Sequence, residues 1–131
     1  MIWTFASADA SRAERARHQF VNAMRLIGGD QDYSTAELIF GELIGNVVRH
    51  APGEILVRLD WTAEHPYLTV VDTGQGFEYA PQLPGDLLAE GGRGLYIVSA
   101  LARNVEISRN SRGTNACVEL PYTRRPDRPV F

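Results

Sequence analysis

The sequence predicts an α/β two-layer sandwich: a mixed, mainly antiparallel sheet with its helices on one face. Three observations lead there. Two long segments, residues 11–27 and 34–51, carry apolar residues at helical spacing. Shorter segments, residues 54–61 above all, alternate apolar and polar residues as a half-buried strand does. Short turns separate several adjacent strands, which argues against a doubly wound parallel sheet.

The elements follow in order. Residues 2–7 mix Trp3 and Phe5 with small polar residues and read as a short strand. In residues 11–27, Phe20, Val21, Met24 and Ile27 recur at helical spacing until Gly28-Gly29 ends the run. Arg12, Arg15 and Arg17 on its first half are either a solvated face or a docking surface for an acidic partner. Ser34-Thr35-Ala36-Glu37 fits a capping box, in which the serine and glutamate side chains satisfy free amides at a helix start. Ala36, Ile39, Phe40, Leu43, Ile44 and Val47 then form a broad apolar stripe, closed by Pro52-Gly53.

In the strand over 54–61, Ile55, Val57, Leu59 and Trp61 face one way, Arg58 and Asp60 the other. Glu64-His65-Pro66 turns the chain into a strand over 67–72, whose run Leu68-Thr69-Val70-Val71 predicts a central place in the sheet. A stretch rich in glycine and proline leads to a short helix over 95–103, with Leu95, Val98, Leu101 and Ala102 as its apolar side. Two last strands, 105–109 and 114–120, flank a hairpin turn at Asn110-Ser111-Arg112-Gly113. A single domain is expected over 1–122, followed by a loose tail over 123–131.

Composition narrows the function classes. The 131 residues suit one domain, and 44% hydrophobic with 22% charged residues is an ordinary soluble composition. A net charge of −3 gives no bulk electrostatic case for nucleic acid or an anionic membrane. No stretch approaches a membrane span, and the N-terminus lacks the pattern of a signal peptide, so a cytoplasmic protein is expected. The one cysteine, Cys117, has no internal disulfide partner, and no Cys/His cluster has zinc-ligand spacing.

Four segments could carry chemistry. Glu42 and Asn46 lie one turn apart on the second helix, at the edge of its apolar stripe, and His50 continues that edge. Gly41 and Gly45 occupy the other flank; each weakens a helix by about 1 kcal/mol relative to alanine, which points to a close approach to the backbone or to helix packing. Asp72-Thr73-Gly74-Gln75-Gly76 sets a carboxylate at a strand end before two glycines. That is either an Asp-Gly turn or a ligand loop whose Asp accepts a hydrogen bond from an exocyclic amine such as that of adenine. Gly91-Gly92-Arg93-Gly94-Leu95 precedes a helix and offers free amides and a cation to an anion, or else is a plain linker. It is neither a Walker-A loop nor a Rossmann fingerprint. Thr114, after Gly113, is a turn residue or a hydroxyl within reach of a ligand.

Each segment alone is a weak signal; their order and spacing are specific. Glu42-x-x-x-Asn46-x-x-x-His50-Ala51, Asp72-x-Gly74-x-Gly76-Phe77, Gly92-Arg93-Gly94-Leu95-x-Ile97-Val98 and Gly113-Thr114 together resemble the four boxes of the GHKL ATPase superfamily. Within it the chain is similar to the anti-sigma-factor serine/threonine kinases of bacterial stress and sporulation regulation, over residues 20–120. The resemblance implies the Bergerat ATP-binding fold and a cytoplasmic kinase that uses ATP and Mg²⁺. It implies a small anti-sigma-antagonist protein as substrate, a sigma factor as second partner, and a homodimer, for which Trp3 and Phe5 on an edge strand are candidates.

It further implies that Asn46 coordinates Mg²⁺, that Glu42 is the general base or orients the attacking hydroxyl, and that Asp72, supported by Thr114, bonds the adenine amine. Gly74 and Gly76 would let their loop fold against the nucleotide, and Gly92 and Gly94 would give amides to the phosphates, with Arg93 neutralising charge. His50 and Leu95 belong to the matched boxes. Two departures stand out: the segment over 78–90, where the family has its ATP lid, is short and rather apolar, and Pro52 follows Ala51 where many relatives have an aromatic residue. The alternative is a catalytically inactive module whose bound ATP or ADP sets a partner-binding surface.

Overall fold

The computed structural model describes residues 1–50, 53–72, 92–110, 113–128 and 130. The elements run β1 (Ile2–Ala6), α1 (Ala10–Gly28), α2 (Ser34–His50), β2 (Glu54–Asp60), β3 (Tyr67–Asp72), α3 (Gly92–Leu101), β4 (Asn104–Asn110) and β5 (Gly113–Glu119). The strands form one sheet in the order β1-β2-β3-β5-β4. Every pairing among them is antiparallel, which sharpens the mixed sheet expected from sequence. β3 is the central strand, as its apolar run predicts.

The period-2 pattern sends one side of each strand into the core. Three rungs cross that inner face. Leu59, Leu68, Val118 and Val105 make one; Trp3, Val57, Val70, Ala116 and Ile107 make the next. The third joins Phe5, Ile55 and Asp72. In the first two rungs, the residues on β2, β3 and β5 are all buried. The helices cover this face. The stripe of α2 predicted from sequence is buried throughout, and Phe20 of α1 stacks on Phe40 of α2 with ring centroids 5.0 Å apart. Such an aromatic pair adds about 0.5–1.5 kcal/mol beyond the area it buries. α2 packs against both β3 and α3.

Helix ends differ from the sequence reading. The capping box at Ser34 is not made. The Ser34 amide donates to Asp32 Oδ1 at 2.8 Å, and the Ala36 amide donates to the Tyr122 hydroxyl at 3.1 Å. Glu37 instead pairs with Arg17 of α1, which also binds Glu14. A guanidinium offers a carboxylate a full opposite charge and several donors, where a backbone amide offers one donor. At α1 the Asp9 carboxylate caps the Arg12 amide, and Gly29, at φ 81°, ends the helix.

α3 begins three residues earlier than its apolar pattern, so Gly92-Arg93-Gly94 is its first turn rather than a loop before it. Burial of Leu95 and Val98 fixes the helix on the core and overrides the poor helix propensity of two glycines.

Other expectations also change. Nothing lies within 4 Å of the place a Cβ would take on Gly41. Gly41 and Gly45 instead line a groove of about 300 Å³ between α1 and α2, with Ala10, Ala13, Ile44 and Val48. β1 is an edge strand, but Phe5 is buried in the core and the Trp3 indole N–H donates to Gln19, which leaves Ile2 as the exposed apolar residue there. Within the segment read as a loose tail, the Arg124 amide donates to the Glu64 carbonyl at 2.9 Å, and the Arg125 side chain lies across Gly29. No helix among the described residues is long and apolar enough to cross a membrane.

Candidate functional site

The inner face of the sheet is apolar until its last rung. There β3 ends in Asp72, 3% exposed, beside Ile55 of β2. The β3–β5 register pairs Val71 with Asn115, so Asp72 falls next to Thr114, which is 9% exposed. Asp72 and Thr114 are the buried polar residues among those described, and they sit side by side at one end of the core. A carboxylate buried at that depth is costly unless something donates to it. A carboxylate accepts only, and a threonine hydroxyl both donates and accepts. Together they suit the polar edge of a flat heterocycle held against an apolar floor.

The backbone of β5 makes this arrangement possible. Gly113 has φ 135°, outside the range that side-chain-bearing residues favour. A Cβ on it would stand 2.6 Å from the Asp72 backbone oxygen and 3.0 Å from Asp72 Oδ2. Only a residue without a side chain lets the two strands meet there.

Glu42 and Asn46 are both half-buried on α2, one turn apart, with Leu43 and Val47 of the same helix in the core. Their helix packs on β3, the strand that carries Asp72, and on α3. α3 in turn starts at Gly92, so the amides of Gly92, Arg93 and Gly94 are first-turn donors with no partner inside the helix. Leu95, 5% exposed, pins that turn to the core. The helix carrying Glu42 and Asn46 thus touches both the strand that ends in Asp72 and the helix that starts at Gly92.

Some predicted residues cannot be placed. Gly74, Gly76 and Gly91 lie outside the described residues, as do the side chains of His50 and Arg93. Among the described residues, no group of three or more His, Cys, Asp or Glu could hold a metal. A groove of about 310 Å³ between β1 and α1 is lined by Trp3, Phe5, Arg12, Arg15 and Gln19 and does not take in Asp72.

Sequence reasoning singled out Asp72 and Thr114 but gave Gly113 no role of its own. Its signals were a glycine in a hairpin turn, which turn geometry alone already explains, and its place before Thr114 in the last matched box. It also missed Asp32 and Tyr122 as the groups that start α2. An Asp two residues before the helix was a readable sign; a tyrosine 86 residues downstream was not.

Comparison with known proteins agrees with this fold. The chain is 29% identical to Serine-protein kinase RsbW of Bacillus velezensis, covering 73% of this chain and 69% of that protein. Its fold is similar to the Acinetobacter baumannii histidine kinase AdeS, with a TM-score of 0.54 at 17% identity over 92% of this chain. It is also similar to the histidine kinase domain of the blue-light activated histidine kinase from Erythrobacter litoralis EL346, with a TM-score of 0.51 at 20% identity over 84% of this chain. The chain spans 66% and 61% of those two structures, respectively, and at these identities the likeness is one of fold. The family model of the histidine kinase-like ATPase domain matches residues 6–120, nearly the whole of the sheet and its helices, and the chain belongs to that family.

Proposed function

We propose that this ATPase domain is a serine/threonine-protein kinase of the anti-sigma type. It binds Mg-ATP, phosphorylates a serine or threonine on a small anti-sigma-antagonist protein, holds a sigma factor in its other state, and works as a homodimer in the cytoplasm. The observation that carries the reading is the buried Asp72–Thr114 pair, at the end of a strand that packs against the helix bearing Glu42 and Asn46. The similarity to a serine-protein kinase favours a protein hydroxyl as acceptor.

The donor set fits the parts of the nucleotide. Asp72 accepts from the adenine amine, and Thr114 supports the ring edge. The first-turn amides of α3 take the phosphates, aided by the N-terminal end of the helix dipole and by Arg93. Gly74 and Gly76, in the matched box that Asp72 opens, would let their loop fold against the base. Asn46 offers one neutral oxygen to Mg²⁺, a cation that usually takes few protein ligands and completes its shell with phosphate and water. When bound, Mg²⁺ neutralises charge on the phosphates. Glu42 accepts the proton of the attacking hydroxyl as its oxygen bonds to the γ-phosphorus and the bond to the β-phosphate oxygen breaks, releasing ADP. Such transfer is mostly positioning and charge neutralisation, for which a half-buried carboxylate would position the hydroxyl and the free amides of a helix start would face the phosphate charge.

The test uses purified protein, ATP labelled in the γ-phosphate, and a panel of small antagonist-domain proteins. Label should pass to one of them. Glu42→Ala should stop the transfer and leave ATP binding within about twofold, because the base contributes about 10²–10⁴ to rate and little to ground-state binding. Equal transfer by that variant would remove Glu42 from the chemistry. A wild type that binds no adenine nucleotide would end the whole reading.

A further inference from the structure

We infer that Gly113 is a positioning residue for base recognition: its bare backbone sets where the Asp72 carboxylate stands, and selection of adenine over guanine depends on that placement. The inference rests on the proposed reading that Asp72 meets the base. It comes from two independent constraints at one residue. The first is conformational: φ is 135° at Gly113. A hairpin turn explains that on its own. The second is spatial and has nothing to do with turning the chain. A Cβ at Gly113 would lie 2.6 Å from the Asp72 backbone oxygen, 3.0 Å from Oδ2 and 3.2 Å from Cγ. The first of these atoms is backbone of the central strand and cannot swing aside. The other two are the functional carboxylate. Any side chain at 113 therefore displaces Asp72.

The chemistry makes position matter. Adenine presents an amine where guanine presents a carbonyl oxygen. A carboxylate fixed at that point bonds the first and repels the second. A buried polar site that is well placed discriminates strongly, because the wrong ligand leaves its groups unpaired. Moved by even an ångström, the carboxylate loses the bond to adenine and the clash with guanine together.

The readout is the ratio of ATP to GTP affinity, measured by competition with a fluorescent nucleotide. Loss of folded protein multiplies both apparent dissociation constants by the same factor, so destabilisation alone leaves the ratio unchanged. Gly113→Ala should lower the ratio about tenfold or more, as loss of a charged hydrogen bond does. Asp72→Asn should lower it similarly, and the double variant should be no worse than Asp72→Asn alone, because both act through one carboxylate.

Gly29→Ala is the matched control. Gly29 also has positive φ, at 81°, and a Cβ there would meet Arg125 Cδ at 2.7 Å, but it lies at the other end of the core near Tyr33. That variant should lose stability and keep the wild-type ratio. Should Gly113→Ala yield no folded protein, Asp72→Glu serves instead. It presses a longer carboxylate into the same seat with Gly113 intact, and its ratio should fall as well.

A Gly113→Ala protein, or failing that an Asp72→Glu protein, with the wild-type ratio overturns the inference. If Asp72→Asn itself keeps the ratio, or the wild type binds ATP and GTP alike, the underlying assignment of Asp72 to the base has failed, and with it the inference.

Discussion

The two ends of the sheet's inner face share strands, neighbours and depth, yet they do different work. At one end Leu59, Leu68 and Val118 stand in a row, each 0–1% exposed, backed by Trp61 and closed by Leu120. At the other end the same strands finish in Ile55, Asp72 and Thr114. The first end minimises exposed apolar surface. The second places a carboxylate and a hydroxyl at a depth that the first gives to aliphatic side chains. Buried polar groups of this kind lower stability unless satisfied. Among the described residues the buried polar side chains stand at this end, beside the start of β5 at Gly113, which makes it the candidate for a ligand. Functional sites are commonly set in such locally unfavourable spots, held by a stable remainder.

The largest effect should come from weakening the closed end. Leu68→Ala removes a side chain with no exposed surface from the central strand and should cost about 2–5 kcal/mol, read from urea unfolding. The folded fraction should keep its ATP to GTP ratio. Asp72→Asn should do the reverse. It is nearly isosteric and deletes a buried charge, so the urea midpoint should move much less than for Leu68→Ala, while ATP affinity falls about tenfold. If Asp72→Asn costs as much stability as Leu68→Ala, the two ends are alike and Asp72 is a structural residue.

The closed end was the legible one. Ile55, Val57, Leu59 and Trp61 announce a buried strand face by period 2, and the stripe of α2 announces itself by period 3.6, because burial on one side leaves that imprint on any sequence. Hydrogen-bonding partners leave no such imprint. Ser34 and Glu37 stood at capping-box spacing, but the structure gave their roles to Asp32 and Tyr122 and turned Glu37 to Arg17. Two glycines argued against helix at Gly92 and Gly94, and the burial of Leu95 and Val98 prevailed.

At the site the residue types were readable and their meeting was not. Asp72 and Thr114 are 42 positions apart, and only strand register makes them neighbours. Gly113 looked like half of a turn because its second constraint comes from another strand. The order of the motifs carried the functional reading, and order says nothing of distance.

The smallest effect tests how the closed end reaches the site-bearing helix. Tyr122 follows β5, stacks on Tyr33 at 5.2 Å between centroids, and gives its hydroxyl oxygen to the Ala36 amide in the first turn of α2. Tyr122→Phe leaves that amide buried without its acceptor and should cost about 1–2 kcal/mol near neutral pH. The cost should depend on alkalinity. Burial pushes the Tyr122 phenol above its ordinary value, the Ala36 bond opposing that only in part, and burial raises Tyr33 as well. A folded-state value raised above the unfolded one means the contribution is complete below about pH 10 and is lost as pH climbs through the folded value. Wild type should therefore lose urea stability on that limb, and Tyr122→Phe should lose less of it, with Tyr33 still titrating. The gap between the two proteins should narrow as pH rises above about 10 toward the folded value. A gap that stays constant across the range would mean that Tyr122 acts on α2 by packing alone, and that the start of the helix bearing Glu42 and Asn46 does not depend on its hydroxyl.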